Sequence, residues 1–138
     1  MTTTTTVTVT TTTTITTTTT LPSGCGVRAA TFESIDCRLD LLVAKVDAAQ
    51  DLGRGKKFLL AGVTAARAKK QDAEQDVAAG RSKPANKDLQ KSIRKMINFA
   101  HRLRSLTSRK NIPGATRTAL LDDAAPILED LKTLRQQL

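Results

Sequence analysis

The sequence predicts an all-α protein: an antiparallel up-down four-helix bundle over residues 31–138, preceded by a threonine-rich tail that stays unfolded. Three observations predict it. Sixteen of the first 20 residues are threonine, and such a tract has too little apolar surface to offset its ordering entropy. Beyond it, apolar residues recur at spacings of three and four, the period of a helix with one buried face. Aromatic residues are confined to Phe32, Phe58 and Phe99, with no Trp or Tyr. The core must therefore be built of Leu, Ile, Val and Ala, an alphabet that suits helix packing better than a sheet sandwich.

The tail, residues 1–20, is broken only by Val7, Val9 and Ile15 and carries no charge. It reads as an O-glycosylated stalk or an unmodified spacer, with a reach of about 65 Å when fully stretched. A flat threonine array that binds ice or forms β-structure would need glycine, cysteine or turn residues to fold its rows back, and the tract has none. Residues 21–30, LPSGCGVRAA, hold Pro22, Gly24 and Gly26 and read as the joint to the domain.

The first helical stripe is Ile35, Leu39, Leu42, Val46 and Ala49, with Ser34 as the expected N-cap and Gly53 as the expected stop. Leu59, Val63, Ala66, Ala73 and Val77 make the second, with Lys70 at a core position in the same register. Pro84 falls in the first turn of the third helix, where its missing N–H does no harm. Leu89, Ile93, Met96, Ala100 and Leu103 line that helix, and Ile97, Phe99 and Leu106 widen its face. A face this wide belongs to a bundle interior rather than a two-helix seam. Leu120, Ala124, Ile127, Leu131, Leu134 and Leu138 form the last stripe, and Pro126 inside it predicts a helix kinked or divided near Ala125. The joints around Gly53, 81–83 and 111–115 are short, which makes sequential helices antiparallel neighbours.

Cys25 and Cys37 are the only cysteines and His101 the only histidine. Together they supply at most three ligands, short of the four of a structural zinc site, so no metal is expected. The cysteines are then a disulfide closing a short loop or two unpaired buried thiols. The disulfide is the expectation, because a small domain gains most from a staple. With the threonine tract it points to an extracellular or cell-surface setting and an export signal upstream of this chain. No apolar run approaches the roughly 18 residues of a membrane span, and residues after Met1 lack the pattern of a signal peptide.

Catalysis needs two or three groups within hydrogen-bond reach. His101 falls on the outer side of the third helix, between Arg94 and Arg102, and reads as solvated. Asp122 with Asp123, and Glu129 with Asp130, are helix neighbours that point about 100° apart, so neither pair makes an acid–base site. Gly53-Arg54-Gly55-Lys56 lacks the spacing and preceding strand of a phosphate loop. These residues predict neither an enzyme nor a cofactor.

Charge placement is the one remaining signal. The chain carries 22 Lys and Arg against 13 Asp and Glu, a net +9. Residues 54–83 hold eight basic and three acidic side chains, and 84–110 hold eight and one. On the third helix Lys87, Arg94, Lys95, His101, Arg102 and Arg109 are expected to form one outward ridge about 30 Å long. Asp36, Asp40, Asp47 and Asp51 make a shorter acidic ridge on the first. The ridges read as solvated faces that partly neutralise each other within the bundle or between molecules, or as an anion-binding surface for nucleic acid, anionic polymer or lipid head groups, with Lys87, Arg94, Lys95, Arg102 and Arg109 as its site. The interleaved aromatics of single-strand binders are absent from the helix.

The order LDLLVAKVDAAQ, GKKFLLAGVTAA, INFAHRLRSL and, after a polar joint, ALLDDAAPILEDL resembles FIMAH-type helical modules over about residues 32–135. It is also similar to the uncharacterised helical ends that follow threonine-rich stalks in secreted proteins of environmental bacteria. The resemblance implies a non-catalytic appendage of an extracellular protein and carries over no binding residue. The expected function is a helical spacer, anchoring or protein-interaction module at the C-terminal end of a secreted or surface protein. The alternative is an anion-binding module using the basic ridge.

Overall fold

The computed structural model describes residues 25–138, which form five α-helices and no strand. The threonine tract and the first four residues of the joint lie outside the described residues. The helices are α1 (Phe32–Ala48), α2 (Lys56–Ala78), α3 (Ser82–Arg104), α4 (Leu106–Asn111) and α5 (Gly114–Gln136).

α1 begins two residues before Ser34, the expected cap. Thr31 has the extended backbone of a cap, and its hydroxyl accepts the Ser34 N–H at 3.2 Å. Ser34 lies inside the first turn, where its hydroxyl accepts the Ala29 N–H at 3.1 Å. α1 also ends before Gly53, at Ala48, and Gly53 instead opens a short 3-10 turn, Gly53–Gly55, at φ +57°. α2 stops at Gly80, whose φ of +76° only glycine adopts freely. The Gly80 N–H reaches Val77 O at 3.0 Å and the Arg81 N–H reaches Asp76 O at 2.7 Å. This bond pair is the Schellman termination, and it turns the chain directly into α3.

Long-range bonds set the neighbours. Arg67 of α2 reaches Asp36 and Asp40 of α1. Ser92 of α3 donates to the Ala66 carbonyl of α2 at 2.7 Å. Asn86, near the start of α3, exchanges hydrogen bonds with Arg135 at the end of α5. Lys45 of α1 pairs with Asp123 of α5. Between these contacts lies one core, containing Ile35, Leu39, Leu42, Leu59, Val63, Leu89, Met96, Phe99, Leu103, Ile127 and Leu131. Leu52 and Ile112, from the connecting segments, join it.

The expected stripes hold in their interiors and fail at their ends. Val77 and Leu138, each at or beyond the last turn of its helix, are exposed. The buried positions there go to Asp76, held by Arg81, and to Leu134. Lys70 sits in the core register with its side chain 1% exposed. It survives there by bonding Asp36 at 3.2 Å and Glu74 at 3.1 Å, with the Phe32 ring 5.8 Å away.

The helix breaks differ from expectation at two places. α5 is not divided at Pro126 but runs through it to Gln136. A mid-helix proline costs about 3 kcal/mol. Leu120 and Ala124 before it and Ile127 and Leu131 after it are all buried, and that burial offsets the cost. The third helix, by contrast, ends at Arg104 rather than continuing past Leu106. Ser105 adopts an extended backbone (ψ 156°), and its hydroxyl accepts the Ser108 N–H at 3.3 Å, capping α4.

Candidate functional site

The residues expected to form the ridge divide at Ser105. Lys87, Arg94, Lys95 and Arg102 are all exposed on α3, opposite the buried Leu89, Ser92, Met96 and Leu103. Arg109 is exposed on α4, beyond the break, so it is not part of a continuous helical ridge. Lys87 to Arg102 spans about 22 Å at the helical rise, shorter than expected. Lys91 joins the same face and is the one member that pairs, with Asp88 at 3.2 Å.

Within the molecule the two ridges form no ion pair with each other among the described residues. Asp36 and Asp40 of α1 go to Arg67 and Lys70 of α2, while Asp47 contributes only its backbone carbonyl, to Lys56. Asp51 follows α1 and accepts from Thr116 at 2.6 Å. Burial pushes the Asp36 carboxyl up, but hydrogen bonds and charge from Arg67 and Lys70 outweigh that and hold it below the ordinary carboxylate value. Among the described residues Lys87, Arg94, Lys95 and Arg102 form no ion pair. The positive charge of α3 therefore faces solvent uncompensated.

An aromatic ring does meet this face, although none is interleaved along α3. Phe58 of α2 is 53% exposed, and the Arg102 guanidinium lies over its ring at 5.0 Å from the centroid. Arg54, Phe58, His101, Arg102 and Ser108 line an open cleft of about 460 Å³. His101 is exposed, as expected, at the border between this cleft and one on the other side of α3.

At the opposite end of the molecule a buried charge cluster fastens the segment before α1. Cys25 and Cys37 are bonded, with Cα atoms 5.7 Å apart. Asp130 of α5 accepts two hydrogen bonds from Arg28, at 2.9 and 3.0 Å, and pairs with Arg38 of α1 at 2.7 Å. Arg38 also donates to Ser34 O and Ala29 O. Burial raises the Asp130 pKa, and the two guanidiniums more than reverse this, leaving it below the ordinary value. Nothing in the local sequence marks Asp130 or Arg38 as buried, because their partners are remote in the chain. Lys70 did carry a signal, as a charge inside an apolar stripe.

No group of three His, Cys, Asp or Glu side chains among the described residues is arranged to hold a metal ion. No helix among them is long and apolar enough to cross a membrane. No family model, curated protein or solved structure matches this chain.

Proposed function

We propose that the chain is a non-catalytic interaction module of a secreted or surface protein, in which the outward face of α3 engages an anionic partner. The architecture we assign to it is an antiparallel up-down four-helix bundle of α1, α2, α3 and α5, with α4 as an extra turn in the last connection. Its role is to anchor or space the protein that carries it. A disulfide at the entry to the domain supports an oxidising setting. The observation that carries the reading is the uncompensated charge of Lys87, Arg94, Lys95 and Arg102, while Asp36 and Asp40 of α1 are engaged by Arg67 and Lys70 of α2. Net charge of this size also speeds the approach of anionic partners.

The same charge supports a second reading, in which the partner is a linear polyanion: nucleic acid, anionic polymer or lipid head groups. The Phe58–Arg102 pair gives such a chain one ring to lie against. Both readings require the α3 face, and one titration tests it. The wild-type chain and a variant with Lys87, Arg94, Lys95 and Arg102 replaced by Gln are titrated with polyglutamate, single-stranded DNA, duplex DNA and an anionic glycan at two salt concentrations. Wild type is expected to bind at least one of them, more weakly at higher salt. For DNA the slope is about 0.7 to 0.9 log unit per log unit of salt for each phosphate contacted. The variant is expected to lose binding while keeping its helical circular dichroism, since exposed charges contribute little to stability. Affinities weaker than about 10⁻⁴ M for every probe at low salt, or an unaffected variant, would sink the reading.

A further inference from the structure

α3 and α5 leave a groove between them on the side away from α2. Ile97, Ala100, Leu121, Ala125 and Leu128 line a cleft of about 240 Å³, with His101 and Arg104 at its edge. A second cleft of about 380 Å³ shares Ile97 and continues past Arg94 and Lys132 toward Gln136. The two meet at Ile97 and make one groove with a basic rim, apolar-floored in the first cleft and lined mainly by polar and basic side chains in the second. From Gln90 to Arg104 it runs about 21 Å along α3, the length of about four helical turns. Ile97, Leu121 and Leu128 pack on the core and are partly buried, leaving some of their surface in the groove. Arg94, Arg104 and Lys132 form no ion pair among the described residues.

We propose that this groove docks an amphipathic helix of a partner protein, with apolar residues at i, i+4 and i+7 on its inner face and Glu or Asp along both flanks. The proposal rests on the reading of α3 as an interaction face and names the partner's chemistry. A recessed apolar floor between two helices is the geometry that receives a helix. The cationic rim selects acidic flanks and rejects basic ones. A bare polyanion would gain nothing from the floor. A membrane would need protruding apolar side chains here, whereas the large exposed ones, Val27, Phe58, Val77 and Leu138, are scattered away from the groove.

The probe is a designed peptide of about 18 residues, with leucines at that spacing and glutamates on the flanks, titrated onto the full chain by fluorescence anisotropy. A scrambled peptide of the same composition, polyglutamate and phosphatidylglycerol vesicles are the controls. The designed peptide is expected to bind at least about tenfold more tightly than the scrambled one or polyglutamate and to become helical on binding. Ala125→Glu puts a charge on the exposed part of the floor without touching the core, and is expected to weaken binding at least about 20-fold. Arg104→Glu with Lys132→Glu, on the rim, is expected to weaken it by a similar factor. Lys57→Gln with Lys83→Gln, exposed cations outside the groove and separate from Lys87, Arg94, Lys95 and Arg102, should change it by less than about threefold. Equal binding of the scrambled peptide, or no loss in either the floor or the rim variant, would overturn the proposal. Vesicle binding that Ala125→Glu abolishes would overturn it in favour of a membrane. If polyglutamate binds as tightly as the designed helix, the groove falls while the cationic-face reading stands; if no anionic probe binds, both fall.

Discussion

Replacing Asp130 by Ala is expected to destabilise the domain by about 3 to 5 kcal/mol, the loss typical when one partner of a buried ion pair is removed. That is a large share of the roughly 5 to 15 kcal/mol that holds a domain folded. The cause is Arg38, whose side chain is 6% exposed and would keep its charge without its carboxylate. One Arg38 nitrogen, Nη1, has no hydrogen-bond partner even with Asp130 in place. Arg28 would also lose its bidentate bond, freeing the segment that leads into α1. Adding Arg38→Met to Asp130→Ala should recover much of the loss, because an apolar pair of similar volume avoids the desolvation of both ions. The pH dependence has a definite sign. The folded-state pKa of Asp130 lies below its unfolded value of about 3.9. Its contribution is thus fully present above the unfolded pKa and is lost as pH falls through the folded one. Asp36 behaves the same way. Urea unfolding from pH 7 down to about pH 2 should show wild type losing stability below about pH 4, with a smaller loss in Asp130→Asn. An Asp130→Ala variant within about 1 kcal/mol of wild type would contradict the cluster.

Phe99→Ala is expected to cost about 3 to 5 kcal/mol. Phe99 is 1% exposed and is the one fully buried aromatic ring among the described residues. Its removal opens a cavity amid side chains held by several helices, which close-packed surroundings refill only in part. Phe58→Ala is the matched control. That ring is 53% exposed and stacked only by Arg102, so its loss should cost about 1 kcal/mol or less. The midpoints of urea unfolding, with an unchanged m-value, check both.

What was legible in the sequence follows from the range over which each determinant acts. Helix interiors were legible because burial of one face imprints a local period: Ile35 through Val46 and Leu89 through Leu103 are buried as their spacing predicts. Helix ends were less so. Thr31 and Ser34 are both capping residues three positions apart, and the local sequence does not distinguish them; Thr31 caps α1 while the Ser34 hydroxyl accepts from Ala29 N–H. Ser105 is a cap signal of the same kind, but the period carried on by Leu106 predicts a continuing helix and so places Arg109 on α3 rather than α4. Pro126 does not divide α5, since its flanks are anchored by buried contacts that no local rule weighs. The bonds from Arg28 to Asp130 and from Arg67 to Asp36 join distant positions, so neither the cluster nor the engagement of α1's acids could be read locally. For the candidate site, four ridge positions were legible as outward helical ones. The groove was not, because its floor exists only once Leu121 and Leu128 are set beside Ile97.

The central claim is that the α3 face is where this molecule meets its partner, and the direct measurement is a residue-resolved NMR titration of the full chain with the designed acidic helix. The expected result is a set of amide and methyl shifts confined to Arg94, Ile97, His101 and Arg104 of α3 and Leu121, Ala125 and Leu128 of α5, with α1 and the outer side of α2 unchanged. Shifts centred on α1 and α2, or spread evenly over the surface at saturating peptide, would contradict it.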